Sequence, residues 1–309
     1  MAAKTYLAGD LGGTKTLLSL YKEIDGQLKK EHSHRYRSAE WHDLESMLRH
    51  FLNQSPADLQ KPTTSCIAVA GPVHQGSAKL TNLPWQMSQT SLSAATGLEQ
   101  LELVNDFAVL IHGLSHFSDE QQVVLQMGRG RATPAPAGTE NGPVAILGAG
   151  TGLGMARGLP IAGGWLAIPS EGGHREFAAR REAEWELAQW LKQDLGLQRL
   201  SIERIVSGTG LGHVMNWLLH RQPGIEHFLR AHAHAWRTMT ADQPGYQDLP
   251  SLTGKAAASG DHLAGEAMKL WLGAYGSVAG DLAMQELCIG GLWIGCLLYT
   301  SDAADDGLS

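Results

Sequence analysis

Two short segments of this chain share one pattern: an apolar run, a glycine-rich turn with a threonine, and a second apolar run. The first spans residues 6–20 and contains Asp10-Leu-Gly-Gly-Thr14; the second spans 144–156 and contains Gly148-Ala-Gly-Thr-Gly-Leu-Gly154. Glycine permits positive φ angles and a close approach of a ligand to the main chain. The N–H groups of such turns form a concave site for an anion. The pair therefore predicts two turns that hold one polyphosphate; two ordinary tight hairpins are the alternative.

The spacing of these glycines differs from that of the two commonest phosphate-binding motifs. A P-loop requires G-x-x-x-x-G-K-[ST] and a dinucleotide-binding turn requires G-x-G-x-x-G, and neither turn has these patterns. We expect phosphate to be held by turn backbone and threonine hydroxyls instead. The candidates for this contact are Gly12, Gly13, Thr14, Gly148, Gly150, Thr151 and Gly152.

Asp10 directly precedes the first turn. A carboxylate beside bound phosphates suits Mg²⁺, which it binds directly or through water. This placement predicts that Asp10 is a magnesium ligand. An aspartate that only caps the turn is the alternative.

A second acidic position follows a strand-like run. Residues 100–106 read Gln-Leu-Glu-Leu-Val-Asn-Asp, so Asn105 and Asp106 come at its carboxyl end, where α/β proteins usually bind ligands. A carboxylate there can take a proton from a hydroxyl whose oxygen attacks phosphorus. We therefore predict that Asp106 is a general base, with a simple Asn-Asp turn as the alternative.

The segment Ser170-Glu-Gly-Gly-His-Arg-Glu-Phe177 is the sharpest local constellation. Glu171 and His174 are three residues apart across two glycines, so their side chains can converge on one small polar molecule. Together they supply the acceptors and donors that sugar hydroxyls require. A metal site would need more ligands than these two provide.

Strand-like and helix-like segments alternate along the chain, which predicts an α/β architecture. Strands are predicted at 5–10, 16–21, 65–70 and 100–106, helices at 42–53, 182–195 and 263–287, and a further glycine-rich turn within 201–212. The length of 309 residues and the hydrophobic content of 43% allow two domains. The Gly- and Pro-rich stretch 128–143 predicts a solvated loop.

Charge and composition exclude several functional classes. The net charge is −7 and there is no long basic run, so we expect no nucleic-acid partner. No apolar run reaches 18 residues and no signal peptide is evident, so we expect no membrane association. The three cysteines are odd in number and lack metal-ligand spacing, which favours a reducing, cytoplasmic location.

The last residues, 296–309, do not continue the pattern of the preceding chain. They resemble the translated end of a sequencing adapter, which predicts that the natural sequence departs from this one near Gly295. A natural polar tail is the alternative. We leave these residues out of the fold prediction.

Five segments resemble, in order and spacing, the bacterial ATP-dependent glucokinase family. They are Asp10–Thr14, Val104–Phe107, Gly148–Gly154, Ser170–His174 and Glu203–Leu211. The resemblance covers about residues 4–295. The Glu-Gly-Gly-His segment with the later Glu-Arg-x-x-Ser-Gly is specific, whereas the Gly-Gly-Thr turn is shared by the wider sugar-kinase and actin superfamily.

The resemblance implies a two-domain actin-like ATPase (ribonuclease H-like) fold with a central cleft, divided at 1–110 and 111–295. It implies transfer of phosphate from ATP, with Mg²⁺, to the 6-hydroxyl of glucose, and a homodimer as the expected assembly. Asp106 would be the base, and the glucose contacts would be Asn105, Asp106, Glu171, His174 and Glu203. Asn82 is a weaker sugar candidate, and Gly290 and Gly291 would begin the adenosine-side glycine motif.

The chain departs from the family pattern at three places, the first being Lys15, where some relatives carry Asn. Asp281 replaces a more usual Asn, and the glycine motif that starts at Gly290 breaks off after Gly295. The alternatives are a kinase for another hexose or amino sugar, a non-catalytic sugar-sensing regulator, or an inert fragment.

Overall fold

The computed structural model of the protein describes residues 4–57, 59–80, 83–127, 142–240 and 243–296. Asn82, most of the predicted loop 128–143 and the segment 297–309 lie outside these residues. The chain divides into two compact units, Met1–Gly113 (unit one) and Leu114–Ser309 (unit two). The mixed α/β prediction is confirmed, while the division at residue 110 and the cleft stay predictions.

Unit one is built on a sheet with the strand order β3-β2-β1-β4-β8. Its elements are β1 (Thr5–Leu11), β2 (Lys15–Ile24), β3 (Gln27–Arg37), α1 (Leu44–Asn53), β4 (Thr64–Val69), β5 (Val73–His74), β6 (Ser77–Lys79), β7 (Gln86–Ser88), α2 (Gln89–Thr96), β8 (Gln100–Asn105) and α3 (Asp106–Gly113). β1 and β2 form the predicted antiparallel hairpin. β4 pairs in parallel with β1 on one side and with β8 on the other.

Helix α1 shows how the sequence pattern becomes packing in unit one. The Asp43 side chain caps its amino end, because Oδ1 accepts a hydrogen bond from the Ser46 N–H at 2.7 Å. Its apolar residues recur at helical spacing, which predicts one buried face. The structure buries that face in the core of unit one; it consists of Leu44, Met47, Leu48 and Phe51. The helix prediction over 42–53 is therefore confirmed, apart from two residues at its start.

Unit two combines a sheet of order β11-β10-β9-β12 with a group of helices. Its elements are β9 (Val144–Ala149), β10 (Leu153–Ile161), β11 (Gly164–Ser170), α4 (Glu182–Asp194), α5 (Gly208–Arg221), α6 (Leu229–Thr238), α7 (Leu249–Ala258), α8 (His262–Glu286) and β12 (Gly291–Cys296). β9 and β10 form the second predicted hairpin, and β12 pairs with β9 in parallel. The helices predicted at 182–195 and 263–287 are confirmed as α4 and α8.

Helix α8 ties the sheet of unit two to its helical layer. Trp271 and Tyr275 lie one turn apart on its buried face, with ring centroids 5.2 Å apart. The Trp271 Nε1 donates to the Ser207 carbonyl oxygen at 2.9 Å, just before α5. The single proton of the Tyr275 hydroxyl is shared between the carbonyl oxygens of Leu147 at 3.3 Å and Gly295 at 3.1 Å. One helix face therefore holds α5, β9 and β12 in place.

The glycine-rich turn predicted within 201–212 is wrong in its second half. A 3₁₀ turn covers Ile202–Arg204, and α5 begins at Gly208. Ser207 caps this helix, since its Oγ accepts from the Gly210 N–H at 2.9 Å. A side chain at Gly210 would collide with the Ile205 backbone. The glycines here allow close packing at a helix start, which outweighs their low helix propensity.

None of the helices formed by the described residues combines the length and the apolar character needed to cross a membrane.

His213 on α5 is a buried titratable group in unit two. Its side chain is only 8% exposed, and its Nε2 has no hydrogen-bond partner within the described residues. Burial, together with the positive charge of Arg204, lowers the pKa of His213 from 6.5 to about 4. The neutral ring packs edge-on against Trp236, with centroids 5.3 Å apart.

We predict that His213 makes unit two less stable in acid. The unfolded chain takes up this proton near pH 6.5, whereas the folded chain resists it until about pH 4. The free energy of unfolding is therefore unaffected by His213 above pH 6.5. It falls as the pH drops below this value, by about 2 kcal/mol at pH 5. Urea unfolding at pH 7 and pH 5 should show this loss in the parent and not in His213→Gln. The exposed His234→Gln serves as control and should behave like the parent; equal pH slopes for parent and His213→Gln would contradict the prediction.

Candidate active site

Parallel strand pairing brings the first glycine turn and Asp106 to the same edge of the sheet in unit one. Leu11 pairs with Val69, and Val69 pairs with Asn105. The carboxyl ends of β1, β4 and β8 are therefore level. Since neighbouring strands lie about 4.8 Å apart, β1 and β8 end roughly 10 Å from each other. This distance suits two groups that act on one ligand.

The first turn is held by hydrogen bonds from its own hairpin and from Ser38. The Gly12 N–H donates to the Lys15 carbonyl oxygen at 3.0 Å. The Ser38 hydroxyl donates to the Gly12 carbonyl oxygen at 2.9 Å, and the Ser38 N–H donates to the Thr14 carbonyl oxygen at 3.0 Å. Two carbonyl oxygens of the turn thus accept hydrogen bonds from Ser38 within the protein. The Thr14 side chain is exposed.

The turn glycines do not use the positive φ angles that glycine permits. Positive φ occurs at other glycines, such as Gly71 and Gly291, and at none of the phosphate-contact candidates Gly12, Gly13, Gly148, Gly150 and Gly152. Two of these positions instead bring neighbouring atoms close to where a Cβ would lie: the Lys15 carbonyl oxygen at Gly12 and the Glu203 carboxylate at Gly152.

Asp10 stands at the end of β1, beside this turn, with its side chain open to solvent. The protein packed around its carboxyl partly desolvates it all the same, and this raises the pKa of Asp10 above its ordinary value. A nearby cation would offset that cost. The described residues contain no group of three or more His, Cys, Asp or Glu side chains that could hold a metal by themselves. One carboxylate with substrate phosphates and water is nevertheless a common Mg²⁺ arrangement, so Asp10 fits this ion.

Asn105 and Asp106 form a tight junction between β8 and α3. The Asn105 Oδ1 accepts from the N–H groups of Phe107 at 3.1 Å and Ala108 at 2.9 Å, so it caps the helix. The Asn105 Nδ2 donates to the Gly71 carbonyl oxygen and to the Asp106 Oδ1, both at 3.1 Å. The Phe107 N–H also donates to the Asp106 Oδ1, at 3.0 Å. One oxygen of the half-buried Asp106 carboxylate is therefore oriented by its neighbours.

The second glycine turn and the Glu171–His174 loop lie at one end of the sheet in unit two. Leu153 pairs with Ala149 across the turn, and Met155 pairs with Ser170 on the next strand. Glu171 follows Ser170, whose partner Met155 lies only two residues after the end of the turn at Leu153. The Glu171 Oε2 lies 3.6 Å from the His174 Nε2, and their side chains are 59% and 60% exposed. Both are open to a ligand.

Glu203 reaches this same end of the sheet from the 3₁₀ turn Ile202–Arg204. Its Oε2 accepts a hydrogen bond from the Leu153 N–H at 2.9 Å. The Ile202 N–H donates to the Arg175 carbonyl oxygen at 2.8 Å, which joins this segment to the Glu171–His174 loop. The structure thus groups the sugar candidates of unit two with the second turn.

Gly290 and Gly291 do not join that group. Gly291 pairs with Val144, at the amino end of β9, whereas the glycine turn follows the carboxyl end at Ala149. The two positions are separated by five residues of strand, about 17 Å. The assignment of Gly290 and Gly291 to the nucleotide stays a prediction, and Asn82 lies outside the described residues.

Sequence reasoning missed the groups that hold the turns. Ser38 binds the first turn, and Thr209 binds the second through its hydroxyl, which donates to the Thr151 carbonyl oxygen at 3.1 Å. Ser38 is 24 residues from Thr14 in the sequence, and no local pattern marks it. Thr209 lies in the Ser207-Gly-Thr-Gly210 run, whose glycines were the available signal.

Similarity to solved structures assigns this chain to the sugar kinases with the actin-like ATPase fold. The glucokinase family profile matches residues 7–297. A glucokinase of Synechocystis is 37% identical over 94% of this chain and 82% of its own length. The crystal structure of a glucokinase from an Antarctic psychrotroph has a TM-score of 0.70 at 27% identity, over 97% of this chain and 85% of that one. A ROK family glucokinase from Streptomyces griseus, solved with glucose and AMPPNP, has a TM-score of 0.58 at 16% identity, over 98% of this chain and 88% of that one, and supports the fold. This chain belongs to the glucokinase family.

We predict that the Asn105 cap stabilises unit one. Asn105→Ala should lower the free energy of unfolding by about 1 kcal/mol, because the first N–H groups of α3 lose their acceptor. Asn105→Ser keeps a capping oxygen and loses the amide contact to Gly71, so it should retain most of that stability. Urea unfolding of the three proteins makes the comparison. Equal losses for Ala and Ser would show that the cap is not the stabilising contact.

Proposed function

We propose that this chain phosphorylates glucose with ATP, and that Asp106 is the general base for the 6-hydroxyl. The observation that carries the assignment of Asp106 is the register Leu11–Val69–Asn105, which puts it level with the first glycine turn. A group on β8 can then act on a substrate whose phosphate lies at the end of β1. Membership of the glucokinase family supplies the reaction.

The proton transfer follows from the chemistry of the Asp106 carboxylate. The 6-hydroxyl of glucose gives its proton to this carboxylate while its oxygen forms a bond to the γ-phosphorus. The bond between that phosphorus and the β–γ bridging oxygen breaks, and ADP leaves. The hydrogen bonds from Asn105 and Phe107 to Oδ1 keep the carboxylate from turning away. Such general-base assistance is worth about 10²–10⁴ in rate.

The nucleotide phosphates would be held by the two glycine turns. In unit one the contacts are Gly12, Gly13 and Thr14, and in unit two they are Gly148, Gly150, Thr151 and Gly152. Asp10 would hold Mg²⁺, directly or through water. When bound, this ion neutralises the charge of the phosphate oxygens, and phosphoryl transfer depends mainly on such neutralisation and on positioning.

Glucose would be recognised by amide, carboxylate and imidazole side chains. Asn105 and Asp106 supply an amide and a carboxylate in unit one, and Glu171, His174 and Glu203 supply two carboxylates and an imidazole in unit two. Carboxylates accept hydrogen bonds from sugar hydroxyls, and the imidazole can accept or donate. The exposed side chains of Glu171 and His174 leave these groups free to turn toward a hydroxyl.

A substrate panel of glucose, mannose, fructose and glucosamine tests the sugar itself. Turnover of another sugar in preference to glucose would favour the alternative kinases. Absence of turnover with glucose bound would favour a sugar sensor. A homodimer and a cytoplasmic location stay predictions.

We predict that Asp106→Asn retains glucose binding and loses most turnover. The amide can still accept at Oδ1 from the Phe107 N–H, so the junction to α3 is preserved. It cannot take the proton, and kcat should fall by about 10²–10⁴. A coupled glucose-6-phosphate dehydrogenase assay measures kcat, and calorimetry measures glucose binding. Glu102→Gln, on an exposed position of the same strand, is the control. Parent-like turnover in Asp106→Asn would refute the proposed role.

We predict that Glu171→Gln weakens glucose binding. A hydrogen bond to a charged group contributes roughly 1.5–3 kcal/mol, so the dissociation constant should rise about tenfold or more. Calorimetry with glucose measures it. The matched control is Glu176→Gln, on the same loop, whose carboxylate instead faces Lys192 at 3.4 Å and Arg199 at 3.5 Å. An unchanged glucose dissociation constant in Glu171→Gln would remove this residue from the sugar site.

A further inference from the structure

The second glycine turn of unit two is braced from outside by one short segment, residues 203–209. The Gly208 N–H donates to the Gly150 carbonyl oxygen at 2.7 Å, and the Thr209 hydroxyl donates to the Thr151 carbonyl oxygen at 3.1 Å. The Glu203 Oε2 accepts from the Leu153 N–H at 2.9 Å. The first two contacts bind turn carbonyls, and the third binds the amide where β10 begins.

Gly152 lets the turn and the Glu203 carboxylate lie close together. A side chain at Gly152 would place its Cβ 2.5 Å from the Glu203 Oε2. That distance is far inside van der Waals contact, so alanine at this position would displace the Glu203 carboxylate from its place beside the Leu153 N–H. The conformation of the turn and the position of this carboxylate therefore depend on each other.

The backbone of Glu203 is itself held by hydrogen bonds that lead to the core of unit two. The Ser207 hydroxyl donates to the Glu203 carbonyl oxygen at 2.7 Å while it caps α5. The Trp271 Nε1 donates to the Ser207 carbonyl oxygen at 2.9 Å, and Trp271 is almost fully buried. The backbone that carries Glu203 is thus anchored to the core of unit two. This anchoring restricts where the Glu203 carboxylate can lie.

We propose that Glu203 is a positioning residue for the turn Gly150–Gly152, in addition to its contact with the sugar. This inference rests on the proposed function, in which the turn holds nucleotide phosphate. A carboxylate accepts several hydrogen bonds, so the oxygen bound to Leu153 leaves the group able to meet a sugar hydroxyl. One side chain then links the two substrates. Glucose that orders this carboxylate should strengthen nucleotide binding, and by thermodynamic linkage nucleotide should strengthen glucose binding by the same factor.

The test compares the two glutamates assigned to the sugar in unit two. Both should bind glucose, but only Glu203 contacts the turn. Calorimetry with AMPPNP and Mg²⁺, in the absence of glucose, should give an affinity about tenfold or more weaker for Glu203→Ala than for the parent. Glu171→Ala should bind AMPPNP like the parent. With glucose present, the parent should bind AMPPNP more tightly, and Glu203→Ala should lose that gain.

Conservative variants separate positioning from a general structural role. Glu203→Gln keeps an oxygen that can accept from the Leu153 N–H, so it should restore AMPPNP affinity while glucose binding stays weak. Glu203→Asp keeps the charge but is shorter by one methylene, so it should behave like Glu203→Ala. It also replaces that variant if Glu203→Ala does not fold.

The outcomes distinguish the two hypotheses. If Glu203→Ala and Glu171→Ala bind AMPPNP equally well, the positioning role is refuted even when both bind glucose weakly. If neither variant changes glucose binding, the proposed sugar site fails instead, whatever the nucleotide result. Weak AMPPNP binding confined to Glu203→Ala and Glu203→Asp, with rescue in Glu203→Gln, supports the inference.

Discussion

The parallel pairing of β1, β4 and β8 is the constraint on which the active site of unit one depends. Ile67 and Val69 on the middle strand are completely buried, as is Leu11 on the first. A slip of one residue would turn these side chains toward the other face of the sheet. Burial therefore specifies the register, and the register puts Asp10 and Asp106 at one edge. The same strand register therefore both packs the core and places the proposed general base.

In unit two, loops and hydrogen bonds rather than parallel strands gather the polar residues around the glycine turn. Its turn joins two antiparallel strands, and the polar residues around it come from a loop after β11 and from a 3₁₀ turn before α5. Backbone and side-chain hydrogen bonds from residues 203–209 hold that turn. Glycine serves here by letting chains approach closely rather than by allowing positive φ, as Gly152 against Glu203 and Gly210 against Ile205 illustrate.

Segments with a strong hydrophobic period were predictable from the sequence. The α1 pattern identified its buried face residue by residue, and the strands predicted at 65–70 and 100–106 appear as β4 and β8. Prediction failed at residues 208–212, because glycine at every second position usually indicates a turn. The helix forms there because the Ser207 cap and tertiary packing stabilise it. The edge strand β3 also went unpredicted, since its mostly exposed, polar sequence lacks an apolar face.

The sequence by itself determined the chemical groups and the family: two glycine turns, an Asn-Asp pair, and a Glu-Gly-Gly-His loop in a recognisable order. These are local patterns, and local backbone and side-chain chemistry is enough to define them. Only the tertiary structure decided which groups meet. Ser38 with the first turn, Glu203 with Leu153, and the separation of Gly291 from the second turn depend on strand register and on packing between distant segments. No local pattern contains that information, because each such contact joins residues whose spacing in the chain is unrelated to their spacing in the fold.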